Sequence, residues 1–160
     1  MTMQEQIIQV MKGENRMKKL ENRVAVITGG SRGIGKGIAL TFAKEGADIV
    51  FSYHSNAKAA DETVREIEAL GVKAVAVKAN AGDERDVKNM AEITAKEFGK
   101  INILVNNAGT IGKEVPVVDM DTEEWDRVIN TDLRGVFLSC KYFIPLIEKG
   151  EDAPVGKIIN

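Results

Sequence analysis

The chain has 160 residues, with 22 Lys and Arg against 24 Asp and Glu, a net charge of −2. That length suffices for one domain with a real core, and the balanced charge leaves no nucleic-acid footprint. No apolar run approaches membrane-spanning length and no signal peptide is visible. The lone Cys140 excludes an intrachain disulfide and fits a reducing cytoplasm, and the single histidine, His54, excludes a His-based zinc site, so no metal ligand is assigned.

Residues 1–20 read as an N-terminal extension ahead of a domain spanning 21–160. Ile7, Ile8, Val10 and Met11 make at most a turn or two of amphipathic helix before Gly13. Lys12-Gly13-Glu14 can be encoded by a purine run resembling a bacterial ribosome-binding site ahead of Met17. Residues 1–16 are therefore expected to be a mis-called start or a disordered tail.

Val24 to Ile27 form an apolar β-forming run that enters a glycine-rich turn, Thr28-Gly29-Gly30-Ser31-Arg32-Gly33-Ile34-Gly35. Past it, Ile34, Ile38 and Phe42, with Ala39 and Ala43, fall on one face of a predicted helix. Strand, glycine turn and helix together open a nucleotide-binding βαβ unit. Glycines let backbone N–H groups approach a pyrophosphate, and the helix head adds partial positive charge. The spacing Gly29-x-x-x-Gly33-x-Gly35 differs from Gly-x-Gly-x-x-Gly, and a turn with no binding role is the bland alternative. A P-loop reading through Gly30, Gly35 and Lys36 fails at Gly37, where magnesium needs a hydroxyl.

Helix, glycine, strand then recurs. The first helix stops at Gly46 before Asp48–Tyr53; a second, with Ala60, Val64, Ile67 and Leu70, stops at Gly71 before Ala74–Val77. A third, with Val87, Ala91 and Phe98, stops at Gly99 before Ile101–Val105. This alternation predicts a parallel sheet covered on both faces. Next, Asp121 and Glu124 predict a capping-box start to the longest helix. Trp125, Ile129, Leu133, Val136, Phe137, Cys140 and Ile144 trace a wide apolar stripe along it, with Trp125 as a packing anchor and Cys140 as a buried structural thiol. Pro145 kinks or ends the helix, and Lys157–Asn160 begin a fifth strand.

With these residues in hand, the chain resembles the short-chain dehydrogenase/reductase family over residues 20–160. The carriers are the Thr28–Gly35 turn, Asn106-Asn107-Ala108-Gly109 after the fourth strand, and Trp125 to Phe137 in the long helix. The resemblance implies an α/β fold: the N-terminal portion of a Rossmann-type doubly wound parallel sheet, about five strands in the order 3-2-1-4-5. It also implies NAD(P)-dependent interconversion of alcohols and carbonyls on a small-molecule substrate such as a sugar or 3-oxoacyl compound. In such enzymes a tyrosine, helped by a lysine four residues on and a serine, exchanges a proton with the substrate oxygen. A free tyrosine, with a pKa of about 10, needs that help near neutral pH.

Serine, tyrosine and lysine in this arrangement fall beyond Asn160 in the family, so the chain is expected to be truncated and inactive alone. Tyr53 is followed by Ala57 and Tyr142 by Leu146, so neither substitutes. The family's helix asparagine aligns with Asp132, which is expected to keep the kinked backbone and its water; Asn130 points elsewhere. For the cofactor, the resemblance places Gly29, Ser31, Arg32, Gly33, Ile34 and Gly35 around the pyrophosphate. Tyr53, His54 and Ser55 lie at the adenosine ribose, Asn80 and Ala81 at the adenine, and Asn107, Ala108 and Gly109 beside the nicotinamide ribose. Asn107 either lines that cleft or ties neighbouring strands. With Tyr53 where an acid would bind the ribose hydroxyls of NAD, and Arg32 near, NADP(H) is favoured over NAD(H). A non-catalytic NADP(H)-binding or partner-binding protein is the alternative function. A homo-oligomer through the helix over 122–144, covering Leu133, Phe137 and Cys140, is a further expectation.

Overall fold

The computed structural model describes residues 2–4, 18–149 and 156–160. Beyond residues 2–4, the expectation of a mis-called start or tail, and the turn through Ile7–Met11, lie outside the described residues. Five strands, β1 (Val24–Ile27), β2 (Asp48–Tyr53), β3 (Ala74–Lys78), β4 (Ile103–Val105) and β5 (Lys157–Ile159), pair in parallel in the order β3-β2-β1-β4-β5. The helices are α1 (Gly33–Lys44), α2 (Ala57–Glu68), α3 (Glu84–Phe98), α4 (Thr122–Ile129) and α5 (Gly135–Phe143). This is the parallel sheet that the strand–helix alternation predicts, in the Rossmann-type strand order that the resemblance implies.

Successive side chains of a strand point to opposite faces, and here each face meets its own helix pair. Ala25, Ile27, Ile49 and Phe51 pack with Ala39 and Ala43 of α1 and Ala60 and Ile67 of α2. Val26, Val50 and Leu104 pack with Val87, Met90 and Ala91 of α3 and Leu138 and Phe143 of α5. The three predicted stops hold: Gly46, Gly71 and Gly99 lie within three residues of their helix ends at φ of 94°, 84° and 75°. The fourth strand is shorter than expected. Its ladder starts at Ile103, and Ile101 makes only an isolated parallel bridge to Ile147.

Three expectations need correction. Ile34 is not on the packed face of α1. It is 78% exposed, while Gly35, Ala39 and Ala43 carry the contact, because small residues let the helix lie close to the sheet. The capping box does not form either. Asp121 occupies the N-cap position of α4 with no side-chain cap, its carboxylate lying 3.5 Å from Lys113 Nζ, and Glu124 is drawn off to Arg127 and the Lys113 amide.

The third correction concerns the long helix. A π-helical turn over Asn130–Arg134 separates α4 from α5, and the residues facing the sheet are Gly135, Leu138, Ser139 and Phe143. The predicted stripe faces outward: Trp125 is 55%, Leu133 65% and Phe137 61% exposed. Among the described residues, Trp125 is therefore no packing anchor. Cys140 is only half-buried at the edge of the stripe, its Sγ accepting from Asn106 Nδ2 at 3.8 Å. Pro145 sits in a 3-10 turn, Ile144–Leu146, that ends the helix as expected.

Candidate functional site

At the carboxyl ends of β1, β2 and β4 the chain opens into a cleft of about 510 Å³. Its floor is the glycine turn, pinned from three sides. Ser52, at the end of β2, accepts the Gly29 amide on its hydroxyl (3.0 Å) and the Gly30 amide on its carbonyl (2.9 Å). Thr63 of α2 donates to the Ser31 carbonyl at 3.2 Å. From the segment after β4, Asn107 Nδ2 donates to the carbonyls of Thr28 (2.9 Å) and Gly29 (3.1 Å). A β-carbon on Gly35 would lie 2.3 Å from the Gly29 oxygen and 2.5 Å from Asn107 Nδ2, so glycine alone fits there.

Helix α1 starts from this turn with Arg32 at its N-cap, no side chain capping it and no acid in its first turn. Its first helical hydrogen bond runs from the Lys36 amide to the Arg32 carbonyl (3.2 Å), which leaves the Gly33, Ile34 and Gly35 amides at the head of the helix. Uncapped amides at the positive end of a helix dipole suit a diphosphate. Lys36, the would-be P-loop lysine, instead pairs with Glu66 of α2 at 2.8 Å.

Of the predicted cofactor residues, Gly29, Ser31, Arg32, Gly33, Ile34, Gly35, Tyr53, His54, Asn80, Ala81, Asn107, Ala108 and Gly109 line this one cleft. Ser55 does not. Asn80 turns its amide oxygen back to accept the Gly82 amide at 3.0 Å, leaving its second lone pair for a ligand. Asp132 does not line the cleft; it accepts the Thr110 amide at 2.9 Å from beside it. Asn107 lines the cleft and also ties the glycine turn to the segment after β4. Ser52, Ala79, Thr110, Arg127 and Thr131 also line it and were not legible as site residues. No carboxylate stands among the lining residues.

Tyr142 lies outside the cleft, donating to Glu84 Oε1 at 2.6 Å, and that hydrogen bond raises its pKa, the wrong direction for a base near neutral pH.

Residues 23–160 match the family model described as short chain dehydrogenase. The chain belongs to this family. Short chain dehydrogenases similar to it include glucose 1-dehydrogenase 2 of Bacillus subtilis, 40% identical over 124 residues, or 78% of this chain and 48% of that protein. The 3-oxoacyl-acyl-carrier-protein reductase of Staphylococcus epidermidis is 43% identical over 139 residues, 87% of this chain and 55% of its own. The chain thus spans about half the length of the curated relatives it matches. Among solved structures, a short chain dehydrogenase from Burkholderia cenocepacia in complex with NADP superposes with a TM-score of 0.80 at 36% identity, over 88% of this chain and 55% of that one. A blue fluorescent protein from a metagenomic library, in complex with NADPH, superposes with a TM-score of 0.80 at 35% identity, over 88% and 56%.

One carboxylate beside this short chain dehydrogenase cleft carries a pH signature. The Arg127 hydrogen bond, followed by the Lys113 amide and the charges of Arg127 and Lys113, takes Glu124 from 4.5 to about 2 against a smaller desolvation cost. A depressed carboxyl pKa gives stability that is present above the unfolded value and lost as pH falls through the folded one. Trp125, the only tryptophan, sits next to it on α4. The stability advantage of the unchanged chain over Glu124→Gln, read from Trp125 emission across a denaturant titration, is expected to be full above pH 4.5 and to be lost as pH falls through about 2.

Proposed function

We propose that the chain binds a nicotinamide dinucleotide, NADP(H) ahead of NAD(H), and forms the cofactor-binding half of an oxidoreductase that interconverts alcohols and carbonyls. The carrying observation is the uncapped, acid-free head of α1, set above a turn in which a β-carbon on Gly35 would overlap the Gly29 carbonyl oxygen. That cradle fits a pyrophosphate. Gly33, Ile34 and Gly35 hold it by backbone N–H, Tyr53 and His54 flank the adenosine ribose, and Asn107 to Gly109 line the nicotinamide side. Bound there, the dinucleotide supplies the hydride acceptor or donor.

The preference for NADP(H) rests on Arg32 at the mouth and the lack of a carboxylate in the lining, so a 2′-phosphate meets attraction without repulsion. The NADP- and NADPH-bound neighbours support it. The substrate class follows the relatives' names, a sugar or a 3-oxoacyl compound. The outward stripe of α4 and α5 is where we place a second copy of the chain, and lone Cys140 supports a cytoplasmic home.

Titrating NADPH while following its fluorescence is expected to saturate, and NADH to bind more weakly. Arg32→Ala is expected to cut the NADPH preference about tenfold, the worth of one charge-assisted hydrogen bond. A flat response to NADPH overturns the proposal. With glucose or an acetoacetyl ester the 160-residue chain is expected to show no turnover, because no tyrosine in it has a lysine four residues on.

A further inference from the structure

The stretch from Asn106 to Pro116 has no helix or strand of its own, yet Asn107, Ala108, Gly109 and Thr110 form one wall of the cleft. What holds that wall comes from α4 and the π-helical turn. Arg127 donates from Nη1 to Thr110 Oγ1 and from Nη2 to the Ile111 carbonyl at 3.1 Å. Glu124 receives the same guanidinium at Nε (2.9 Å) and Nη2 (2.8 Å), and its Oε1 also accepts the Lys113 amide at 2.9 Å. Asp132 takes the Thr110 amide, and Gly112 lies so close to α4 that a β-carbon there would sit 3.3 Å from Val128 Cγ2. Thr110 to Lys113 are therefore gripped at every residue. Arg127 is both the anchor of this wall and, with Thr131, part of the cleft lining.

The end of β2, with Tyr53 and His54, marks the adenosine side of such a cleft, and the glycine turn marks its middle. The wall gripped by Arg127 lies on the other side. We propose that Arg127, oriented by Glu124, is a positioning residue for the nicotinamide half of the dinucleotide. This rests on the dinucleotide reading above and divides its labour. The glycine turn and the end of β2 hold the adenosine diphosphate half, while the Glu124–Arg127 pair sets the affinity for the rest. The role requires a planar fork: four N–H···O bonds to three residues leave one side chain in a fixed orientation. A lysine ammonium offers the charge without that geometry.

The test compares NADPH with 2′-phospho-ADP, which is NADPH without its nicotinamide ring and the ribose that carries it. NADPH binding to the 160-residue chain is followed by fluorescence and the fragment's by titration calorimetry. Arg127→Ala and Arg127→Lys are each expected to weaken NADPH roughly fivefold, on the scale of an exposed ion pair, and to leave the fragment's affinity unchanged. Glu124→Gln is expected to act in the same direction to a smaller extent. Unchanged fragment binding also shows that each variant is folded. Equal loss of both ligands, an unaltered NADPH affinity, or full rescue by lysine would each overturn the positioning role. An unchanged chain that binds neither ligand would overturn the dinucleotide reading, and this inference with it.

Discussion

Replacing Gly35 by alanine is expected to abolish NADPH binding in the concentration range where the unchanged chain saturates. The added methyl would lie 2.3 Å from the Gly29 carbonyl oxygen and 2.5 Å from Asn107 Nδ2. Both obstacles are tied down: Gly29 is at φ 70° with its amide on Ser52 Oγ, and Asn107 Nδ2 is committed to two carbonyls. Neither can swing away as the tip of a free side chain would, so the head of α1 must lift. Forcing a methyl into such a site costs about 1–3 kcal/mol of stability. The lift also withdraws the amides of Gly33 to Gly35 from the phosphates. Losing two charge-assisted bonds at about 1.5 kcal/mol each weakens binding by roughly 100-fold. Fluorescence titration with a parallel thermal melt checks both parts. An affinity within a few-fold of the unchanged chain would show that the turn does not set the site.

The fold was legible because its signals are local. Apolar four- to six-residue runs, each followed by a periodic helix and a glycine stop, dictate a parallel sheet wherever they recur. The cofactor half of the site was legible for a related reason. A glycine turn between strand and helix carries its chemistry in consecutive backbone amides, so Gly29 to Gly35 needed no partner from afar.

What escaped the sequence depends on distance along the chain or on which face finds a neighbour. Trp125, Leu133 and Phe137 show the periodicity of a buried face. Periodicity says only that apolar residues share a side, and here the inner side went to Leu138 and Phe143 after the π-helical turn shifted the phase. The Asp121–Glu124 spacing matched a capping box, but a guanidinium one turn away outcompeted a backbone amide for the carboxylate. Ile34 counted as an apolar helix position, yet it sits at a helix head, where the first turn faces the cleft rather than the sheet.

Thr28→Val is expected to lower the melting temperature by roughly 10 °C, a loss of about 3 kcal/mol. It is nearly buried at the end of β1, and its Oγ1 accepts the amides of Asn107 (3.0 Å) and Ala108 (2.9 Å). Its own amide donates to the Val105 carbonyl at 3.0 Å, so a single residue stitches the carboxyl ends of β1 and β4 together. Valine keeps the shape and the β-branch but leaves two amides without their acceptor. Orphaning a buried donor costs about 1–3 kcal/mol, discounted here because the cleft admits water to Asn107 and Ala108. Thr28→Ser keeps the acceptor, so its melting temperature is expected to fall by much less than that of the valine variant. NADPH affinity is expected to drop with Thr28→Val too, since Asn107 to Gly109 lose the contact that sets their height above the glycine turn. A valine variant as stable as the serine one would mean that water replaces the hydroxyl at no cost, and that the two strands are held together by their ladder alone.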